Sequence, residues 1–280
     1  MFESKTKKMA ALILSSAFIL TSCGTKKTTE DKNSSGYDRE TIYQVSLLQD
    51  LTFGDYNGSV SVEELKKRGD TGIGTFDRLN GELVMVDGTV YRAAGDGSVE
   101  AVEDTETIPF SNVTFMDTDE KLDLTGVKDF EAVVEALDKK VAELGVNAFY
   151  MVRIDGTFSE MHVRSELAQE KPYKPLAEVL ETDQTFFDYE NIKGTVVALY
   201  TPPYMSDINA TGWHLHFISD DKTKGGHVLG LSIDNAVASI DTTHGFNMIL
   251  PDSEEFVKSD FTIDQSEDIK KVEKNKTDGE

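Results

Sequence analysis

The chain holds five histidines, and His214, His216 and His227 all fall within one fourteen-residue stretch. In Trp213-His214-Leu215-His216-Phe217 the apolar and polar positions alternate as in a β-strand. Successive side chains of a strand point to opposite faces, so His214 and His216 share one face. The run from Ser219 to Gly226 is polar, ends in two glycines and reads as a hairpin loop. Val228, Leu229, Leu231 and Ile233 then mark the returning strand. A hairpin symmetric about Asp221 and Lys222 sets His227 opposite His216, where cross-strand Cβ atoms lie about 5 Å apart. Three neutral imidazoles meeting at one point are a familiar Zn²⁺ set, with a fourth position left for water or substrate. Iron, nickel and copper also take imidazole. A lone strand histidine is ordinarily structural; three on one face favour a metal. The spacing names no reaction.

Several elements must position this hairpin. Thr41–Val45 reads as a strand, and Leu47, Leu48 and Leu51 open a helix. Ser61 and Glu64 have the capping-box form, with Gly69 placed to stop the short helix that follows. Asn80-Gly81 and Asp87-Gly88 are tight-turn dipeptides that divide Gly74–Leu79, Glu82–Val86 and Thr89–Ala93 into a meander. The glycines at 69, 72 and 74 open no helix, which argues against a phosphate-binding loop. Pro109–Met116 reads as a strand. From Val127 to Leu144 the apolar residues Phe130, Val133, Leu137, Val141 and Leu144 recur with the helical period, and Gly145 stops the helix. Ala148–Ile154 and Thr157–Val163 flank Asp155-Gly156 as a hairpin, running into Arg164 on the face of His162. Gly194–Tyr200 is β-rich. After the histidine hairpin come a strand pair, Ala236–Asp241 with Gly245–Leu250, and a helix start at Pro251. The expected fold is α+β: β-rich, with mixed or antiparallel sheets, one long helix and two β-rich subdomains.

The net charge of −23 argues against nucleic-acid binding and against a polybasic membrane patch. It also means that an anionic substrate needs a local cation. At the N-terminus, Lys5, Lys7 and Lys8 precede an apolar run from Met9 to Leu20, then Leu20-Thr21-Ser22-Cys23-Gly24. This resembles a bacterial lipoprotein signal, with residues 1–22 removed and Cys23 lipidated. The implied location is outside the cell, anchored by lipid to the outer face of the membrane. Cys23 is the single cysteine, so no disulfide within the chain and no cysteine metal ligand are possible. Residues 23–38 read as a disordered tether. Residues 39–275 form the expected domain, with halves at about 39–190 and 191–275. The charged tail from Asp264 has the composition of disorder.

Gly69-Asp70-Thr71-Gly72-Ile73-Gly74-Thr75-Phe76, Leu79-Asn80-Gly81-Glu82-Leu83, Asp87-Gly88, the Trp213–Phe217 segment and Gly225-Gly226-His227-Val228 occur in one order. Together they resemble the α-acetolactate decarboxylases, from about Tyr43 to Glu273. The resemblance implies non-oxidative decarboxylation of 2-acetolactate to (R)-acetoin and CO₂. It implies Zn²⁺ on His214, His216 and His227, and a homodimer. By motif match Glu82, Arg164 and Glu273 are site residues, with Thr75 near the metal. Glu273 would bring the tail back over the site. The residue types suit the reaction: a Zn²⁺ ion could chelate the ketone and hydroxyl oxygens and stabilise an enediolate. Arg164 offers a planar fork to the carboxylate. Glu82 and Glu273 are candidates for the proton. The β-ketone is itself an electron sink, so no organic cofactor is needed. Two rival readings stand beside this one. The first is another three-histidine metalloenzyme, of carbonic anhydrase or cupin type; a cupin would place a Glu shortly after His216, where Asp220 and Asp221 stand instead. The second is a surface lipoprotein that binds a metal or solute; receptors of that kind show two α/β lobes, which the strand pattern here lacks.

Overall fold

The computed structural model describes Gly36, residues 38–265, Asp268 and Ile269. The expected signal peptide, Cys23 and Glu273 lie outside these residues, as does almost all of the expected tether. In chain order the elements are β1 (Thr41–Val45), α1 (Leu48–Phe53), β2 (Val60–Ser61), α2 (Val62–Lys66), β3 (Thr71–Thr75), β4 (Glu82–Val86), β5 (Thr89–Ala93), β6 (Val99–Ala101), β7 (Thr107–Ile108), β8 (Phe110–Thr114), β9 (Glu120–Asp123), α3 (Phe130–Leu144), β10 (Phe149–Glu166), α4 (Leu176–Thr182), β11 (Gln184–Thr201), β12 (Gly212–Ser219), β13 (Gly225–Thr243), β14 (Gly245–Ile249) and α5 (Glu254–Lys258).

The strands form two main sheets. The first has the order β14-β1-β8-β3-β4-β5-β6, antiparallel except for the parallel β1–β14 pair. In the second, β10, β11, β12 and β13 pair antiparallel in a closed ring, and β9 adds to the far edge of β13. The fold is therefore α+β and strand-rich, as expected.

Strand alternation sorts the apolar residues into layers. Ile42, Ile73, Val84 and Val86 of the first sheet pack against Phe149, Met151, Val197, Leu199 and Ile218 of the second. The outer face of the first sheet carries Tyr43, Val45, Leu83, Met85 and Val113, covered by Val62 and Leu65 of α2. The second sheet turns Val152, Ile154, Ala238 and Ile240 to Val133, Leu137 and Val141 of α3. Asp129 caps that helix, accepting a bond from the Ala132 amide, and Gly145 ends it at φ 127°. Ser61 caps α2 in the same way.

Some expectations are corrected. Asp155-Gly156 is not a turn: β10 runs unbroken for 18 residues, hydrogen-bonded on both edges. A Cβ on Gly156 would lie 2.3 Å from the Asn235 carbonyl oxygen and 2.4 Å from Ala236 Cβ. The glycine is needed where β13 crosses close by, and the dipeptide pattern cannot distinguish that need from a turn. Likewise Ala236–Asp241 belongs to the 19-residue β13, and β14 pairs with β1 rather than with it. The first strand of the meander is Thr71–Thr75, followed by a short 3₁₀ turn in which Arg78 and Leu79 have positive φ. α2 ends at Lys66, capped by Lys67; Gly69 instead lets the chain pass the Thr114 backbone, where a Cβ would lie 2.6 Å from the carbonyl oxygen. The division at 190/191 falls inside β11, and β14, from the C-terminal part, completes the first sheet.

Candidate metal centre

The same alternation that builds the layer between the sheets also aims the site. Ile73 faces the second sheet, and so does Thr75 two residues on; Val84 does, and so does Glu82. Ile218 faces the first sheet, and with it His216 and His214. His227 is the direct cross-strand partner of His216, as the symmetric hairpin requires. The three imidazoles thus sit where the apolar interlayer ends.

His214 Nε2 lies 3.0 Å from His216 Nε2 and 3.1 Å from His227 Nδ1. The three ligand atoms all lie within 4.8 Å of one another. His216 Nδ1 donates to the Leu83 carbonyl at 2.8 Å. A carbonyl only accepts, so this bond fixes the tautomer and leaves the Nε2 lone pair facing the other rings. Burial holds all three rings neutral. The His214 pKa falls to about 3, through burial first and the Arg164 charge second; His216 and His227 are also pushed well below the usual imidazole value by burial. A proton on His214 Nε2 can satisfy only one of its two neighbours. A cation satisfies all three, so the donor set fits a metal ion of the Zn²⁺ type. Glu82 Oε2 stands 3.3 Å from the same His216 Nε2, a second electron-rich atom facing that position.

The metal position opens onto a cavity of about 40 Å³, enough space for a few waters. Its polar wall holds Thr75, Glu82, Arg164, Glu166, His214 and His227. Leu48 and Leu51 of α1, Leu79, Phe110, and Leu176 of α4 form the apolar wall. Arg164 and Glu166 are successive same-face residues near the end of β10, and both are buried. Arg164 Nη1 donates to Gln184 Oε1 at 3.4 Å, and its Nε lies 3.8 Å from Glu166 Oε1. Thr75 is buried and donates its hydroxyl to the Gly81 carbonyl at 2.8 Å.

The structure therefore brings together His214, His216, His227, Glu82, Arg164 and Thr75 from five separate strands. Three contributions escaped the sequence reading. Glu166 carried a usable signal, since it stands two residues after Arg164 on the same strand face. The Leu83 carbonyl and the apolar wall from α1 and α4 carried none, because they depend on how the sheets and helices meet.

A family profile described as alpha-acetolactate decarboxylase matches residues 42–263. An alpha-acetolactate decarboxylase of Methanosarcina mazei is 40% identical, over 84% of this chain and 81% of its own. The enzyme of that name from Bacillus subtilis strain 168 is 36% identical, over 83% of this chain and 90% of its own. A crystal structure of alpha-acetolactate decarboxylase from Bacillus subtilis strain 168 superposes with a TM-score of 0.81 at 34% identity, covering 84% of this chain and all of that one.

Proposed function

The chain belongs to the alpha-acetolactate decarboxylase family, and from that premise we propose that it converts 2-acetolactate to (R)-acetoin and CO₂ with Zn²⁺ held by His214, His216 and His227. One observation carries the reading: three neutral imidazoles meet at one point, and two of them line a single small cavity with a guanidinium and carboxylates. In a protein of net charge −23, Arg164 is the cation that can hold the substrate carboxylate. The apolar wall of Leu48, Leu51, Phe110 and Leu176 keeps water from the carboxylate and accommodates neutral CO₂ better than the anion. When the C–C bond breaks, its electron pair stays on the substrate and spreads onto the neighbouring ketone oxygen. Zn²⁺ bound at the three histidines supplies Lewis-acid stabilisation of that charge. Glu82 stands beside the metal position and can hold and deliver the proton that turns the remaining carbon into the carbinol of acetoin. Glu273 is the second candidate for this step by motif match alone.

The test is acetoin formation from racemic 2-acetolactate, with metal content read on the same sample. Acetoin of R configuration with about one Zn per chain supports the reading. Metal without acetoin overturns it and returns the carbonic anhydrase reading, which bicarbonate formation from CO₂ then checks. We infer further that the chain is exported, anchored through lipid on Cys23 and dimeric. The N-terminal sequence supports the first two and the family resemblance the third. Lipid labelling lost in Cys23→Ala and a sedimentation mass of two chains are the expected results.

A further inference from the structure

Glu166 is a buried carboxylate that the family resemblance leaves without a role. It is 3% exposed, lines the cavity beside Arg164, and its Oε2 meets no hydrogen-bond partner among the described residues. A buried acceptor without a donor is costly, and at a cavity wall a bound ligand can supply that donor. Among the described residues, no neighbouring group supplies that donor. Arg164 Nε stands 3.8 Å from Oε1, beyond hydrogen-bond range, and its Nη1 is turned to Gln184. Ser165, between them, points to the other face of the strand and donates to the Ala93 carbonyl.

We propose that Glu166 is a substrate-contacting, specificity-determining residue whose Oε2 accepts the proton of the hydroxyl that a 2-hydroxy acid carries on the same carbon as its carboxylate. The inference rests on the function proposed above. Arg164 and Glu166 project from one strand face with their tips less than 4 Å apart. Carboxylate and hydroxyl on one carbon present an acceptor and a donor at a similar spacing. Arg164 takes the acceptor, and Glu166 takes the donor. An acid with a methyl in place of the hydroxyl leaves Oε2 buried and unpaired, and the site rejects it for that reason. The ligand class is thereby narrowed to 2-hydroxy acids, with the 3-keto group turned towards the histidines.

Two stable acids of nearly equal shape test this: 2-hydroxy-2-methylpropanoate and 2,2-dimethylpropanoate, which differ in one hydroxyl. Calorimetric titration of the metal-loaded full chain reads binding without turnover. The wild-type protein is expected to bind the hydroxy acid at least about tenfold more tightly. Glu166→Leu is expected to shrink that preference to within about threefold, mainly by weakening the hydroxy acid, and to lower kcat/KM for 2-acetolactate by roughly 100-fold. Glu166→Gln keeps the shape and a neutral acceptor, and its preference falls between the two. It decides the matter should the leucine variant not fold. A wild-type protein without the preference, or variants that retain it in full, overturn the assignment. Wild-type chain that releases no CO₂ from acetolactate sinks the function proposed above, while the binding preference still reports on Glu166 alone.

Discussion

Three imidazole nitrogens packed at 3.0 and 3.1 Å inside a buried pocket have too few protons to bond one another. With His216 Nδ1 committed to the Leu83 carbonyl, that ring offers the cluster a lone pair. Metal binding and activity should therefore fail together in His216→Ala, measured as metal content and acetoin formation on one preparation. Arg164 behaves differently. It is not one of the three residues proposed to hold the ion, so Arg164→Ala should keep the metal and lower kcat/KM by on the order of 100-fold, the loss of one charge-assisted contact in a dry site. A variant that loses metal as well would show that Arg164 supports the centre rather than the substrate. These residues were legible in the sequence because their signal is local: a strand period of two and a polar loop suffice to place His214, His216 and His227 together. Glu82 and Arg164 were legible as site residues only through motif resemblance, since an acid at a strand start and an arginine at a strand end are ordinarily solvated. Here both are buried, at 5% and 7% exposure.

At the scale of elements, the short pieces were readable and the long ones were not. β1, β4 and β5 fall where the apolar runs and turn dipeptides put them, and Asp87 and Gly88 take the positive φ that their tight turn requires. β10, β11 and β13 each run for 18 or 19 residues, through glycines and polar positions that a local reading takes for ends. Their continuity comes from partners on the neighbouring strands, which sequence spacing does not carry. Gly156 shows what that continuity demands of a residue: beside β13, a Cβ at this position meets the Asn235 carbonyl oxygen at 2.3 Å. Gly156→Ala is expected to lower the melting temperature clearly, in the range of an overpacked core, about 1–3 kcal/mol. The apolar stripe of α3 predicts a parallel result. Leu137 is fully buried against the second sheet, and Leu137→Ala should cost about 2–5 kcal/mol in denaturant unfolding. Loss of the Asp129 cap should cost nearer 1 kcal/mol.

Over the whole molecule, the excess of acid has two consequences that act in different directions. Inside the fold, Asp241 of β13 is 2% exposed and its pKa is raised to about 8, through burial first and then the charges of Glu40, Asp119 and Asp117; the Asp117 amide, which donates to Asp241, opposes this. A raised acid binds its proton more tightly when folded than when unfolded. Its contribution is fully present below the ordinary value near 3.8 and is lost as pH rises towards 8. Asp50, raised to about 7 chiefly by burial, adds in the same sense. Stability should therefore decline as pH rises through this window, and Asp241→Asn, which keeps an acceptor for the Asp117 amide, should flatten the decline. Outside the fold, a net charge of −23 repels an anionic substrate, whereas the attraction that holds it comes from Arg164, buried in a medium that salt screens poorly. Raising ionic strength removes the long-range repulsion before it weakens the contact. KM for 2-acetolactate should then fall as salt rises from about 10 to 150 mM, the range over which the screening length shrinks from roughly 30 to 8 Å, with kcat unchanged. A KM that rises with salt would mean that local cations around the cavity, not the charge of the whole chain, govern how the acid arrives.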